Sequence, residues 1–271
     1  MDEQERKQQI KSTFNTVATG YDCQALRYFS DSGRHLAAAL NLNGAEQVLD
    51  VATGTGCTAL ELAKHLPRGH VTGVDFSPGM LAVARSKADA QNLSNISWLE
   101  MDMQALNLPD GHFDAATCAY GVFFVEDMAQ LLRGIADKVK PGGCIAFTGF
   151  YDTAFLPLAE MFFARIQGFG IDRPNVSWKR IGTEGKVAEL CVAAGLPKAD
   201  IVRKNLGYYL KDAGEWWDVL WYAGFRGMLN QLKGHDLERF KAEHLEEIQA
   251  LATEDGIWFD VDVLLTVARK Q

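Results

Sequence analysis

Hydrophobic positions along this chain switch repeatedly between two periods. Short apolar runs at Gln47–Val51, His70–Asp75, Ile96–Met101, Ala115–Gly121 and Cys144–Phe150 have the length and composition of buried strands. Helical spacing, with apolar residues three and four apart, follows three of them, over residues 57–66, 77–85 and 127–139. Strand, turn and helix in this order predict a parallel sheet flanked by helices. Before the first strand, residues 3–15 and about 32–42 are helix-compatible, and these helices are expected to lie across the carboxyl edge of the sheet as a cap. Beyond the fifth strand, helical patterns cover 154–168 and 183–194, and strand-like runs cover 201–210 and 257–268. Between the last two lies a helical insertion that starts at Glu215 and continues as a charged, mostly solvated helix from Asp236 to about Thr253.

The stretch Gln47-Val48-Leu49-Asp50-Val51-Ala52-Thr53-Gly54-Thr55-Gly56 organises the rest. Glycines between a strand and a helix let a ligand approach the backbone, and the helix start offers N–H donors. Asp50 at the strand end repels a pyrophosphate but suits an ammonium or a sulfonium. Gly54-x-Gly56-x-x-Ala59 also fits the dinucleotide fingerprint, with Asp75 roughly 20 residues on for a ribose, and it fits an ordinary strand-to-helix turn. Two further runs end in acids. Asp75 precedes Ser77-Pro78, which opens a helix, and a carboxylate there can accept hydrogen bonds from both ribose hydroxyls. Asp102 can accept from an adenine amino group, and Met103 offers the ring a soft apolar surface. Three strand ends in step describe a crevice at the carboxyl edge of a parallel sheet.

Composition narrows the class. The chain has 271 residues, 48% hydrophobic and 23% charged, enough for a sizeable core. A net charge of −8 with scattered Lys and Arg argues against a nucleic-acid partner and for a small molecule. The N-terminal residues Met1–Arg6 carry charge without an apolar signal core, and no run reaches membrane-spanning length, so a cytoplasmic protein without membrane attachment is expected. Five cysteines, an odd and scattered set without a C-x-x-C pair, indicate neither a disulfide framework nor a metal site. Cys57, next to the glycine turn, reads either as a reactive thiol or as a small residue packed under a ligand.

The motifs D-x-A-T-G-T-G, V-D-F-S-P-G-M-L, D-M, P-D-G-H-F-D and K-P-G-G, in this order, resemble those of class I S-adenosylmethionine-dependent methyltransferases. Within them the chain is most similar to the methyltransferase type 11/25 group and the quinone-biosynthesis C-methyltransferases, over about residues 14–150. The resemblance implies an α/β fold: a Rossmann-like, seven-stranded, mostly parallel sheet with an antiparallel last strand, helices on both faces and helical cap or lid insertions. It implies one domain, with a cap at 1–45, a cofactor core at 46–150 and a C-terminal part at 151–271, whose substrate lid covers about 153–180 and 212–256. S-adenosyl-L-methionine is the implied cofactor. The turn Ala52-Thr53-Gly54-Thr55-Gly56 would line its methionine part, with Asp50 near the ammonium through the turn or a water. Asp75 would hold the ribose, Phe76 and Met80 would pack near the adenine, Asp102 and Met103 would take its edge, and Ala119 and Tyr120 would face the sulfonium.

Two departures matter. Ala52 stands where glycine is common, and Phe123-Phe124 stand where the quinone enzymes carry Arg-Asn, which weakens the case for a quinone precursor. Tyr21, in an aromatic-bearing turn, could close over the ligand or pack at a helix junction. Phe123, Phe124, Phe155, Phe162, Trp217 and Trp221 are candidates for an apolar acceptor pocket, although most of the aromatic insertion suits a core. Arg226 could pair with an acidic substrate or, more simply, with a local carboxylate. No histidine is marked as a base, and displacement at a sulfonium depends chiefly on alignment and water exclusion. The expected activity is methyl transfer to oxygen or carbon of an apolar or aromatic small molecule. Cofactor binding without transfer and, remotely, a nicotinamide-dependent dehydrogenase are the alternatives, and a homodimer stays open.

Overall fold

The computed structural model describes residues 3–173 and 176–271; Met1 and Asp2 of the charged N-terminus, and Pro174 and Asn175 of the expected lid, lie outside the described residues. In chain order the helices are α1 (Glu3–Val17), α2 (Tyr28–Ala39), α3 (Cys57–His65), α4 (Pro78–Ala90), α5 (Met128–Lys138), α6 (Leu158–Gln167), α7 (Glu184–Ala193), α8 (Ala213–Tyr222), α9 (Arg226–Leu229) and α10 (His235–Gln249). The strands are β1 (Gln47–Val51), β2 (His70–Asp75), β3 (Ile96–Glu100), β4 (Phe113–Ala119), β5 (Val139–Phe150), β6 (Ala199–Asn205), β7 (Tyr208–Leu210), β8 (Ile257–Phe259) and β9 (Asp262–Arg269). The chain divides into two compact units: residues 29–152, 177–204 and 263–271, and residues 1–28, 153–176 and 205–262.

The first unit holds a seven-stranded sheet in the order β3-β2-β1-β4-β5-β9-β6. Strands β1 to β5 pair in parallel, and β9 runs antiparallel to β5 from Cys144↔Arg269 to Phe150↔Val263. The helices start where the sequence signals them: Ser77 accepts from Met80 N at 3.2 Å, Asp127 from Gln130 N at 2.8 Å and Thr183 from Lys186 N at 3.3 Å. Helix α2 begins about a turn earlier than its pattern suggested, and it packs into the sheet's own core. Its Leu36, Ala37 and Leu40 share a buried cluster with Val48, Ala59, Leu62, Leu66 and Val71. Each leucine so buried is worth about 1.5–3 kcal/mol.

The two strand-like runs near the C-terminus each break in two. Leu206 N donates to Val261 O at 2.8 Å, while the Asn205 amide donates to Asp260 at 2.5 Å and to Asp262 at 3.2 Å. That polar knot, with Gly207 beside it, ends β6 and β8 and starts β7 and β9, so the runs divide between the large sheet and a two-stranded β7–β8 sheet. Alternation of apolar residues carries no information about such a break.

The second unit is helical with an aromatic core. Phe162 is fully buried, with ring centroids 5.3–5.9 Å from those of Phe163, Phe225, Phe240 and His244. Trp216, also fully buried, meets Phe225 and Phe259 and donates its indole N–H to His244 Nε2 at 2.9 Å. The charged helix α10 has a solvated face, as its pattern suggested, and a buried stripe of Phe240, His244 and Ile248. No described helix is long and apolar enough to cross a membrane.

His244 is wholly buried; Glu247 faces its Nδ1 at 3.7 Å, and Arg165 bonds both Glu247 and Glu243. Burial pushes its pKa down to about 4, with Glu247 opposing. Because Nε2 accepts from Trp216, the neutral ring carries its proton on Nδ1. A histidine held neutral when folded, but free to take a proton near pH 6.5 when unfolded, contributes stability above pH 6.5 that is lost as pH falls toward 4. Urea denaturation between pH 7 and 4 is expected to show this loss, on the order of 3 kcal/mol, as the difference between the parent and His244→Gln.

Candidate cofactor site

The site starts from the turn after β1. Ala52, Gly54 and Gly56 have φ of 53°, 55° and 81°, all left-handed. Glycine is at ease there, whereas a left-handed alanine costs about 1–2 kcal/mol. Thr53 N bonds Val74 O at 3.0 Å and Gly56 N bonds Thr53 O at 2.8 Å, closing the turn into α3. A Cβ added to Gly54 would meet nothing within 4 Å, so this side of the turn is open to a ligand.

Asp50 lies beneath that turn, 1% exposed. Its oxygens accept from the Thr53 hydroxyl at 2.5 Å and the Thr117 hydroxyl at 2.6 Å. Burial pushes its pKa up to about 6, and the two hydroxyls offset part of that. Asp50 is thus a buried support for the turn. Its charge still reaches the site. Buried Cys118 has its thiol pKa raised to about 12, by burial first and by the charges of Asp50 and Asp75 next.

Asp75, 8% exposed at the end of β2, is held by both oxygens: Gly54 N donates to Oδ2 at 2.8 Å and Ser77 N to Oδ1 at 2.9 Å. A carboxylate oxygen accepts more than one hydrogen bond, so these anchors orient the group and leave it able to bind a diol. Asp102, after β3, is half-buried and accepts from Gln104 N at 2.9 Å, which shapes its loop. Gly121, after β4, joins these segments. A Cβ there would lie 2.7 Å from Cys118 Sγ, 2.9 Å from Ala52 Cβ and 3.8 Å from Met103 Sδ. Ala52, Asp75, Asp102 and Tyr120 thus stand at the carboxyl ends of four adjacent parallel strands.

Sequence reasoning missed Trp98. Its register partner across β2–β3 is Gly73, and its ring lies 2.8 Å from where a Cβ on either Gly73 or Gly56 would sit. The signal was a glycine inside a strand, which marks close approach of another group. Here the group is an indole bracing the glycine turn.

Other expected site residues fall differently. Phe76 and Met103 are half-buried, but Met80, 1% exposed, is enclosed in the core and offers no surface in this arrangement. Thr53 is buried and spends its hydroxyl on Asp50. Half-exposed Ala119 ends β4, while the Tyr120 ring beyond it is buried, stacked on Phe150 at 4.4 Å. Tyr21 is half-buried, edge-on to Phe14 at 6.1 Å. Phe123 is buried among Phe124 and Phe150, with Phe124 half-exposed. In the helical unit, Phe155 and Phe162 are core residues, which corrects their assignment to a pocket: Phe155 stacks on Phe259 at 5.3 Å. Trp217, 7% exposed, stacks on half-exposed Trp221 at 5.6 Å, beside a cleft of about 440 Å³. Arg226 bonds no carboxylate among the described residues, which corrects the expected local pair. It lies 3.5 Å over the Trp221 ring and bonds the Asn230 amide oxygen at 2.7 Å and the Trp221 carbonyl at 3.3 Å. Cys57 Sγ is 3.7 Å from Lys87 Nζ and from the hydroxyls of Ser30 and Thr55.

The methyltransferase domain family matches residues 48–143, the segment that carries these strand ends. The demethylmenaquinone methyltransferase of Thermus thermophilus is 37% identical over 163 residues, which cover 58% of this chain and 74% of that enzyme. The chain belongs to the class I S-adenosylmethionine-dependent methyltransferases. The demethylmenaquinone methyltransferase of Deinococcus radiodurans is 39% identical over 55% of this chain, and the match spans 63% of that relative's length, just under two thirds. The YcgJ protein of Bacillus subtilis shares the fold, with a TM-score of 0.60 at 21% identity over 89% of this chain and 99% of that one. Membership in the methyltransferases retires the dinucleotide reading of the same glycines. The residues also fit the family's cofactor: an open glycine turn and two carboxylates beneath and beside it suit a ligand with a diol and cationic groups.

The contact between Ala52 and Gly121 gives a direct test. Gly121→Ala is expected to destabilise the protein by about 1–3 kcal/mol, because Cys118 and Ala52 both stand within 3 Å of the added carbon. Ala52→Gly alone is expected to be near neutral, relief of its left-handed strain offsetting the entropy the unfolded chain gains. Combined with Gly121→Ala it should recover part of the loss, since one of the two close neighbours is gone, and thermal denaturation of the three variants reads this out.

Proposed function

We propose that the protein transfers a methyl group from S-adenosylmethionine to an oxygen or carbon of an apolar or aromatic small molecule. The observation that carries this reading is Asp75, locked by Gly54 N and Ser77 N at a strand end beside an open, left-handed glycine turn. Gly54, Gly56 and the backbone around them would hold the methionine part, Asp75 the ribose hydroxyls, and Asp102 with Met103 the adenine edge. S-adenosylmethionine, when bound, supplies a methyl group made electrophilic by its sulfonium. The chain's own contribution is placement. Negative charge from Asp50 and Asp75 favours a cationic ligand, and aromatic groups around Tyr120, Phe123 and Phe150 exclude water. We assign no base, and among the described residues no group of three His, Cys, Asp or Glu side chains could hold a metal ion. Acceptor choice is assigned to Phe123-Phe124, which favour an acceptor recognised by apolar contact, together with residues beyond the matched segment.

Isothermal titration with S-adenosylhomocysteine, beside NAD and NADP, tests the cofactor. Saturable binding of the first alone is expected, with Kd on the order of micromolar, about −8 kcal/mol. Asp75→Ala should weaken it about 10- to 100-fold, the value of hydrogen bonds to a charged acceptor. Unchanged affinity in that variant would place the ribose elsewhere. Methyl label from S-adenosylmethionine should then appear in a hydroxylated aromatic acceptor from a panel; binding without any transfer would favour a cofactor-binding protein.

A further inference from the structure

A buried hydroxyl needs a partner, and the partner of Ser32 is unexpected. Ser32 lies on α2, fully buried, with its hydroxyl 2.5 Å from the phenol oxygen of Tyr120. Tyr120 is the first residue past β4, and its φ of 55° is left-handed. A bulky side chain in that region relaxes unless its surroundings hold it. Three contacts do. Its N–H reaches Thr148 O and Oγ1, each at 3.2 Å; its ring stacks on Phe150 at 4.4 Å; and Phe29, on α2 like Ser32, sets its ring edge-on at 5.3 Å. Gly121 follows, against Ala52 and near Met103, so a change at Tyr120 passes to the turns after β1 and β3. Helix α2 lies outside every motif of the cofactor core, yet Ser32 and Phe29 bring it to the edge of the site, and Ser32 does so by a hydrogen bond.

We propose that Ser32 is a positioning residue for the methyl-bearing end of the cofactor, acting through its hydroxyl bond to Tyr120, which holds the left-handed turn after β4. The inference rests on the S-adenosylmethionine reading above and deepens it. S-adenosylmethionine and S-adenosylhomocysteine differ by one methyl and the positive charge on sulfur. The ratio of their affinities therefore reports on that end of the site, while adenine and ribose contacts cancel.

The test titrates both ligands into the parent protein, Ser32→Ala, Tyr120→Phe and the double variant, with urea denaturation of each. The double variant removes both hydroxyls together, so neither is left buried without the other, and it is expected to keep nearly the parent's stability. Its affinity ratio should nevertheless shift by about threefold or more, S-adenosylmethionine losing more affinity than S-adenosylhomocysteine. An unchanged ratio in the folded double variant, or in Tyr120→Phe should the double variant not fold, would overturn the proposal. So would equal loss of both affinities. A parent protein that binds neither ligand overturns the cofactor reading itself, a result distinct from an unchanged ratio in a protein that binds both.

Discussion

A carboxylate out of water under a glycine turn is the constraint on which this site depends. Asp50 is 1% exposed, and two threonine hydroxyls, one from the turn and one from β4, satisfy it. Burying a carboxylate is costly unless its oxygens are bonded, so Thr53 and Thr117 are fixed by the need to bond it. In bonding it they tie the turn after β1 to the neighbouring strand β4. The left-handed residues above then have a rigid base, and Asp75 reaches Gly54 N from the other side. One buried charge thereby orders three elements and lends the site a negative character.

Small residues do the rest of the positioning. Gly73 and Gly56 make room for Trp98, and Gly121 makes room for Ala52 and Cys118. Each glycine is the complement of a larger neighbour on the next strand or turn. Ala52 shows the exchange most clearly: it accepts a conformation that glycine would adopt freely, and its methyl group fills the space beside Gly121. Close packing leaves no slack between these turns, so their geometry is set jointly.

The helical unit follows a different logic. Its aromatic residues, concentrated in one segment of sequence, are mostly spent on a core around Phe162, Trp216 and Phe225. Arg226 is absorbed by Trp221 and Asn230, the kind of stacked, hydrogen-bonded role a planar guanidinium fills well. Composition alone cannot separate such a core from a ligand pocket, because both are built from the same side chains.

The sequence by itself determined the order of strands and helices over residues 47–150, the helix start at Ser77 and the strand-end acids, because each is written in neighbouring residues: a period, a cap, a glycine turn. Tertiary structure alone decided that Asp50 lies beneath the glycine turn while Asp102 stays half-buried, because burial depends on what covers a residue from elsewhere in the chain. It also decided that Asn205, Asp260 and Asp262 would meet and split two strands at one level, residues more than fifty positions apart. Ser32 and Trp98 were invisible for the same reason. A serine in a helix pattern and a tryptophan in a strand pattern look ordinary until Tyr120 and Gly73 are placed beside them.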